Sequence, residues 1–351
     1  MLKRIVVALA VLLFILGGAA GALYYYYTGL LEPVEPAAED EYIIVDIPSG
    51  ANTETIASIL EHENLIQNQF AFRYYARSRD IGHSFAAGTY RLSPSMHASR
   101  IAEIITAGDV YAETTWFTIP EGYTVKQAAE KLEAEGLVDS SIFLELAANP
   151  SETILENYPY LQDINDPQID YLLEGYLFPD TYEIYTTADE EEIIKLMLNR
   201  MDGALNSAAA ERAGELGHTL HEILTLASLV EREAAVDHER DRIAGVIHNR
   251  LAVGQRLQID ATIQYILGET KEFLTYADLE IPSPYNTYQN AGLPPGPIAA
   301  PGRASIEAAL YPEDHDYFYY NYKYDGTGEH YFSYTYEEHL RNVRKAEENL
   351  P

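Results

Sequence analysis

The sequence predicts an α+β protein in three parts: an apolar N-terminal helix long enough to cross a bilayer, a small strand–helix–helix–strand unit, and a larger mixed domain built around helices. Three observations carry that reading. Residues 5–27 contain no charge. A strand, a glycine turn and a helix beginning near Ile43 recur 72 residues later. From Glu190 onward the apolar residues fall mostly at helical spacing. The expected boundaries are 1–28 for a cytoplasmic tip and membrane helix, 29–42 for a linker, 43–112 for the small unit and 113–351 for the larger domain.

As a helix rising 1.5 Å per residue, residues 5–27 span about 34 Å, enough for a hydrocarbon core. Lys3 and Arg4 precede the run and hold its start on the inner side, while Tyr24, Tyr25, Tyr26 and Tyr27 suit the outer aromatic belt. Ala20-Gly21-Ala22 resembles a signal-peptide cleavage site, but the apolar character continues past it, which favours an uncleaved anchor. Residues 31–41, LEPVEPAAEDE, read as an extended spacer.

In the repeat, Ile47, Pro48, Gly50, Ala57, Leu60, Glu61, Glu63 and Leu65 correspond to Ile119, Pro120, Gly122, Ala129, Leu132, Glu133, Glu135 and Leu137. Each copy reads as a short strand, a turn, an amphipathic helix and a second helix. The first copy closes with a strand at residues 88–92 and a helix over 98–106 stopped by Gly108. The second diverges after Pro150 into LEGYLFPDTYEIY at 173–185, whose alternation predicts a strand bent at Pro179 and Asp180. Near the C-terminus, tyrosine-rich strands flank Asp325-Gly326-Thr327-Gly328 as a hairpin, and Thr335 with Glu338 forms a capping box for the last helix.

The candidate chemistry sits at the end of an apolar helix. Ile223, Leu224, Leu226, Ala227, Leu229 and Val230 lead to Glu231 with only two hydroxyl residues among them. Such a helix is buried nearly all round. Desolvation, and the negative helix end if the helix stops near Ala235, both favour a protonated carboxyl, so Glu231 is a candidate proton donor. Glu233 lies roughly 200° further round and cannot face the same cleft, so it is expected to be solvated or salt-bridged. An isolated helical Glu is usually a surface charge; the neighbouring segments argue otherwise here. Gln258, Asp260 and Thr262 form an Asp-initiated segment, and residues 283–302 are too polar and Pro-rich for a core strand yet too aromatic for a linker. That composition suits the wall of a groove holding a sugar chain.

The net charge of −32 makes nucleic acid a poor partner. There is no Cys, and the ten His lack metal-ligand spacing, so no metal or other cofactor is expected. The 29 Tyr are unusual beside one Trp and ten Phe; they suit sugar stacking, though sheet-surface pairing is the commoner use.

Several motifs together resemble the endolytic murein transglycosylase family, the MltG or YceG-like proteins. They are LEGYLFPDTY at 173–182, ASLVERE at 227–233, Glu239-Arg240-Asp241, Asn249-Arg250-Leu251, Leu257-Gln258-Ile259-Asp260, Tyr285-Asn286-Thr287-Tyr288 and GLPPGPI at 292–298. The likeness covers essentially the whole chain. The strand, two helices and strand within 43–112 have the topology of a LysM-like glycan-binding module, with a mere spacer or packing domain as the alternative, and the likeness implies a membrane-anchored enzyme carrying this unit and a lysozyme-like helical core. It also implies internal cleavage of peptidoglycan between N-acetylmuramic acid and N-acetylglucosamine, close to penicillin-binding synthases, with Glu231, the first Glu of its motif, as catalytic acid. Ile259 and Ala261 depart from the Thr and Pro commoner in the family, which bears on substrate positioning.

The residues assigned to the substrate are Gln258, Asp260, Tyr285, Asn286, Thr287, Tyr288, Leu293 and Pro294. Asn286 has an equally good reading as a turn former, and Asp260 as a helix cap. Arg240 and Arg250 are expected to be internal salt-bridge partners on a helix over 239–251. A protonated acid would cleave the glycosidic bond, and the muramyl C6 hydroxyl would close a 1,6-anhydro ring without water. The alternatives are a hydrolytic muramidase using Asp260, and a non-catalytic glycan-binding scaffold.

Overall fold

The computed structural model describes residues 2–350 apart from 38–40, 163 and 165. The spacer positions 38–40, and the side chains of Lys3 and Arg4, lie outside the described residues. The chain forms two compact units, Met1–Glu113 and Thr114–Pro351, each with its own core.

The first unit opens with helix α1, Leu2–Gly29, in which Val11–Gly29 is long and apolar enough to cross a membrane. The chain then folds down instead of standing off. Leu31 O accepts from Ala98 N at 3.0 Å, Glu35 N donates to Pro94 O at 3.1 Å, and Gln67 Nε2 donates to the carbonyls of Glu32 and Pro33. Leu31 packs on the core, and this burial is what an all-polar spacer would lack. Strand β1 (Ile43–Ile47), helices α2 (Thr53–His62) and α3 (Gln69–Ser78), and strand β2 (Gly88–Leu92) follow, with helix α4 (Ala98–Ala107) after them. β1 and β2 pair antiparallel, Ile43 opposite Leu92. Asn52 and Asn68 start the two intervening helices by accepting backbone N–H bonds, and Gly108 stops α4 in the left-handed region.

The second unit begins with β3 (Thr114–Thr118), α5 (Val125–Ala134), α6 (Ser140–Ala148) and α7 (Glu152–Asn157), then a 3-10 turn at Pro159–Leu161. Strand β4 is only Thr181–Tyr185, shorter than the alternation at 173–185 suggests, and it pairs antiparallel with β3. The second copy of the repeat therefore closes in a strand pair as the first does, after an insertion. Residues 173–180 are irregular because Gly175 turns there at φ +80°, where an added Cβ would overlap the Pro297 ring.

Next come α8 (Glu190–Ala204), α9 (Ser207–Leu216) and α10 (Leu220–Glu233), a 3-10 turn at Asp237–Glu239, then α11 (Arg240–Ala252), α12 (Asp260–Leu267), α13 (Tyr276–Leu279) and α14 (Arg303–Leu310). The expected hairpin is β5 (Tyr319–Tyr322) and β6 (His330–Ser333), and α15 (Tyr336–Glu347) carries the Thr335–Glu338 capping box. α10 is central, packed by α9, α11, α12 and α14.

Candidate active site

Helix α10 starts at a capping box in which Thr219 and Glu222 satisfy each other's backbone N–H groups. Every residue from Ile223 to Val230 is buried. The helix ends at Glu233, with Ala234 already extended, so both acids of the motif lie in its last turn, on different sides.

Glu231 faces α14. One carboxylate oxygen accepts from Gly302 N at 3.0 Å and Ser305 Oγ at 2.8 Å; the other is 3.2 Å from Arg240 Nη1. Its side chain is 7% exposed and that of Arg240 is 11% exposed, so this is a largely buried ion pair with its hydrogen bonds filled. Glu121 sits nearby, and burial, then the Glu231 charge, push its own carboxyl upward.

Glu233 faces the other way, towards the hairpin and α12. It accepts from Tyr320 Oη at 2.8 Å and from the Ala261 N–H. Desolvation pushes its carboxyl up to about 7, and the neighbouring Asp260 pushes the same way against those two hydrogen bonds. The residue nonetheless keeps some surface open. Arg250 supports this side. Its guanidinium is buried, donates to the carbonyls of Phe318 and Leu257, and lies 5.2 Å from the Tyr319 ring centroid. It bonds carbonyls rather than making the expected salt bridge, whereas Arg240 pairs with Glu231 and Asp237.

A cleft of about 500 Å³ adjoins this face, running between the start of α5 and α12 and reaching Arg232 and Ala261. At its wall lies Glu174, fully buried, with its carboxyl raised to about 8 chiefly by desolvation. It accepts from Val125 N at 3.0 Å, from Gly175 N and from Tyr265 Oη at 3.4 Å. Tyr265 in turn packs on Tyr285, ring centroids 5.0 Å apart.

The structure divides the residues expected to touch substrate. Asp260 is exposed and its carboxylate accepts a hydrogen bond from the Tyr288 hydroxyl, so it does not cap α12; Gln258, also exposed, lies two residues before it at φ 49°. Tyr285 lines the cleft. Asn286 and Thr287 are buried and hold loops together: Asn286 Nδ2 donates to Leu279 and Ile281 carbonyls, and Thr287 Oγ1 accepts from Ile259 N at 2.9 Å. Leu293 and Pro294 line a different cavity, of about 570 Å³, with His221 and Tyr160. Among the described residues, no cluster of three metal-ligating side chains occurs.

Glu233, expected to be solvated or salt-bridged, is instead desolvated against Tyr320, and Glu174 and Tyr265 have no role in the sequence reading. Glu233 was legible as the second acid of its motif, but its partners are 27 and 87 residues away in sequence, at Asp260 and Tyr320.

The chain is similar to known proteins over most of its length. A model of the YceG-like family matches residues 45–345. The endolytic murein transglycosylase of Bacillus subtilis (strain 168) is 36% identical over 328 residues, covering 90% of this chain and 88% of the relative. The protein of the same name from Streptococcus pneumoniae D39 is 34% identical, over 89% of this chain but 60% of its own length. The crystal structure of a YceG-like protein from Listeria monocytogenes superposes with a TM-score of 0.61 at 38% identity, covering 86% of this chain and 99% of that one. With the family model spanning both units from β1 to the last helix, this chain belongs to the YceG-like family.

Proposed function

We propose that this chain is a membrane-anchored endolytic transglycosylase of peptidoglycan, with Glu233 as its proton donor. Its relatives are named endolytic murein transglycosylases, which is what an internal cut between N-acetylmuramic acid and N-acetylglucosamine would earn. The observation that carries the residue assignment is a desolvated carboxyl poised near neutral pH with a second carboxyl, Asp260, beside it, while Arg232, its chain neighbour, and Ala261, its N–H donor, line the polar cleft.

Protonated Glu233 gives its proton to the bridging oxygen as the bond from the muramyl C1 breaks, so the departing glucosamine leaves with a free hydroxyl. We assign Asp260 to stabilising the positive ring that forms. The resulting Glu233 carboxylate takes the proton of the muramyl C6 hydroxyl while that oxygen bonds to C1. The 1,6-anhydro ring closes, the acid is regenerated and no water enters. The nucleophile is part of the substrate, so positioning does the work of a second enzymatic group.

Glu231, the acid the family resemblance singles out, is taken up by Arg240, Ser305 and Gly302. We assign it to clamping α10 to α14. Gln258, Tyr285 and Tyr288 are assigned to the sugar, Asn286 and Thr287 to the shape of the loop, and Leu293 and Pro294 to the separate cavity beside His221.

The rest of the reading follows the family. The paired strands and two helices at 43–92 support a LysM-like role for the first unit, and α10 with its surrounding helices a lysozyme-like core. α1 is assigned to an uncleaved anchor with its start in the cytoplasm, placing the second unit outside, where new strands and penicillin-binding synthases meet.

Product mass tests the reaction class. Polymerised lipid-linked glycan treated with the full chain is expected to yield muramyl ends lighter by one water than hydrolytic ends. Reducing ends would convert the proposal to a muramidase, and no cleavage at all to a scaffold.

A further inference from the structure

We propose that the outer face of α3 binds anionic phospholipid headgroups and seats the first unit on the bilayer next to the point where α1 emerges. The proposal rests on α1 being an anchor. The Tyr27 ring of α1 meets the edge of Tyr74 of α3, centroids 5.2 Å apart at 86°. A cavity of about 940 Å³ opens between them, bounded by Ala20 and Leu23 on α1 and by Tyr75, Ser78 and Arg79 on the other side. Tyr27 and Thr28, which also line it, lie within roughly 3 Å of Gly29 along a helix rising 1.5 Å per residue, so with Val11–Gly29 in the bilayer the end of the cavity at Tyr27 and Tyr74 opens at headgroup depth. The fastening of residues 31–35 keeps it there.

The chemistry of α3 fits that position. Phe70, Arg73, Tyr74 and Arg77 share one face by helical spacing, and Phe70 and Tyr74 are 67% and 63% exposed. Aromatic rings interleaved with arginines are the composition of a helix lying in an interface. In a chain of net charge −32 this short segment gathers Arg73, Arg77 and Arg79. Arg73 pairs with Glu54 at 2.9 Å, while Arg77 and Arg79 make no salt bridge among the described residues. Of the nearby acids, Glu32 lines the cavity 3.3 Å from His97, and Asp80 is exposed 4.0 Å from His83. A lipid phosphate at Arg79 and Ser78, with Tyr27 and Tyr74 against the glycerol and upper acyl region, satisfies both features.

The test uses the full chain in nanodiscs, with Phe70→Trp placed in a Trp116→Phe background and lipids brominated near the headgroup as quencher. A parallel protein carries Leu16→Trp, inside the span, in the same Trp116→Phe background and is read with lipids brominated mid-chain. The indole at position 70 is expected to be quenched about twofold more in phosphatidylglycerol than in phosphatidylcholine. Adding Arg77→Glu and Arg79→Glu should abolish the difference, and millimolar inorganic pyrophosphate should leave it unchanged. Equal quenching in the two lipids, or none at position 70 with full quenching at position 16, overturns the proposal while the anchor stands. Release by pyrophosphate shows a free-phosphate site and also overturns it. An unquenched indole at position 16 removes the anchor and this proposal with it.

Discussion

At the scale of residues, the last turn of α10 shows how two acids two positions apart acquire opposite characters. Glu231 meets a guanidinium and two donors, and Glu233 meets a phenol, one N–H and another acid. A carboxyl held at about 7 gives a definite pH signature. The protonated form is the proton donor, so the rate should fall on the alkaline side with a midpoint near 7, read from initial rates of anhydro-product formation. Tyr320→Phe removes a hydrogen bond to the charged form, so that midpoint should move up, by about one unit; a downward move would contradict the assignment. Stability carries the same sign. With the folded carboxyl raised above its ordinary value of about 4.5, the folded state holds more protons than the unfolded state between roughly pH 4.5 and 7, so Glu233 costs stability as pH rises through that window. Glu233→Gln is expected to be more stable than the wild type at pH 8 by on the order of 1–3 kcal/mol, and to show no such gain at pH 4, measured by denaturant unfolding.

At the scale of elements, what could be read from the sequence followed periodicity and punctuation. The all-apolar face of residues 223–230, the stop at Gly108, the capping box at Thr335 and the hairpin at 325–328 are local signals, and each element appears where its signal lies. What could not be read depends on partners distant in the chain. Which acid of α10 is ion-paired and which is left to a phenol is decided by Arg240 and Ser305 on one side and Tyr320 on the other. The irregular stretch before β4 depends on Pro297, which forbids a Cβ at position 175. Gly175→Ala therefore combines a left-handed backbone with a steric overlap and should destabilise the second unit by about 2–4 kcal/mol. The denaturation midpoint checks this, and an unchanged midpoint would show that the Glu174 turn can relax.

At the scale of the molecule, the two units have separate cores, and every group assigned to proton transfer or to the sugar lies in the second, on α10, α12, the hairpin or the loops beside α12 and α13. Residues 114–351 alone are expected to fold cooperatively and to cut soluble glycan with kcat within about tenfold of the full chain, with the loss confined to KM, because binding energy from remote contacts is what the first unit would add. Thermal unfolding by circular dichroism and steady-state kinetics measure both. The repeat was visible because its strand, glycine and helix positions recur one for one. The completion of its second copy by β4 was hidden by the intervening insertion.

The central claim is that the acid doing the chemistry is Glu233 and that Glu231 is structural. It is tested most directly by measuring anhydromuramyl ends released from polymerised lipid-linked glycan by Glu233→Gln and Glu231→Gln, each checked for folding. The account expects Glu233→Gln to lose at least about a thousandfold in rate while remaining folded, and folded Glu231→Gln to keep activity within about tenfold at a lowered melting temperature. A folded Glu231→Gln protein without activity, beside an active Glu233→Gln protein, would contradict it.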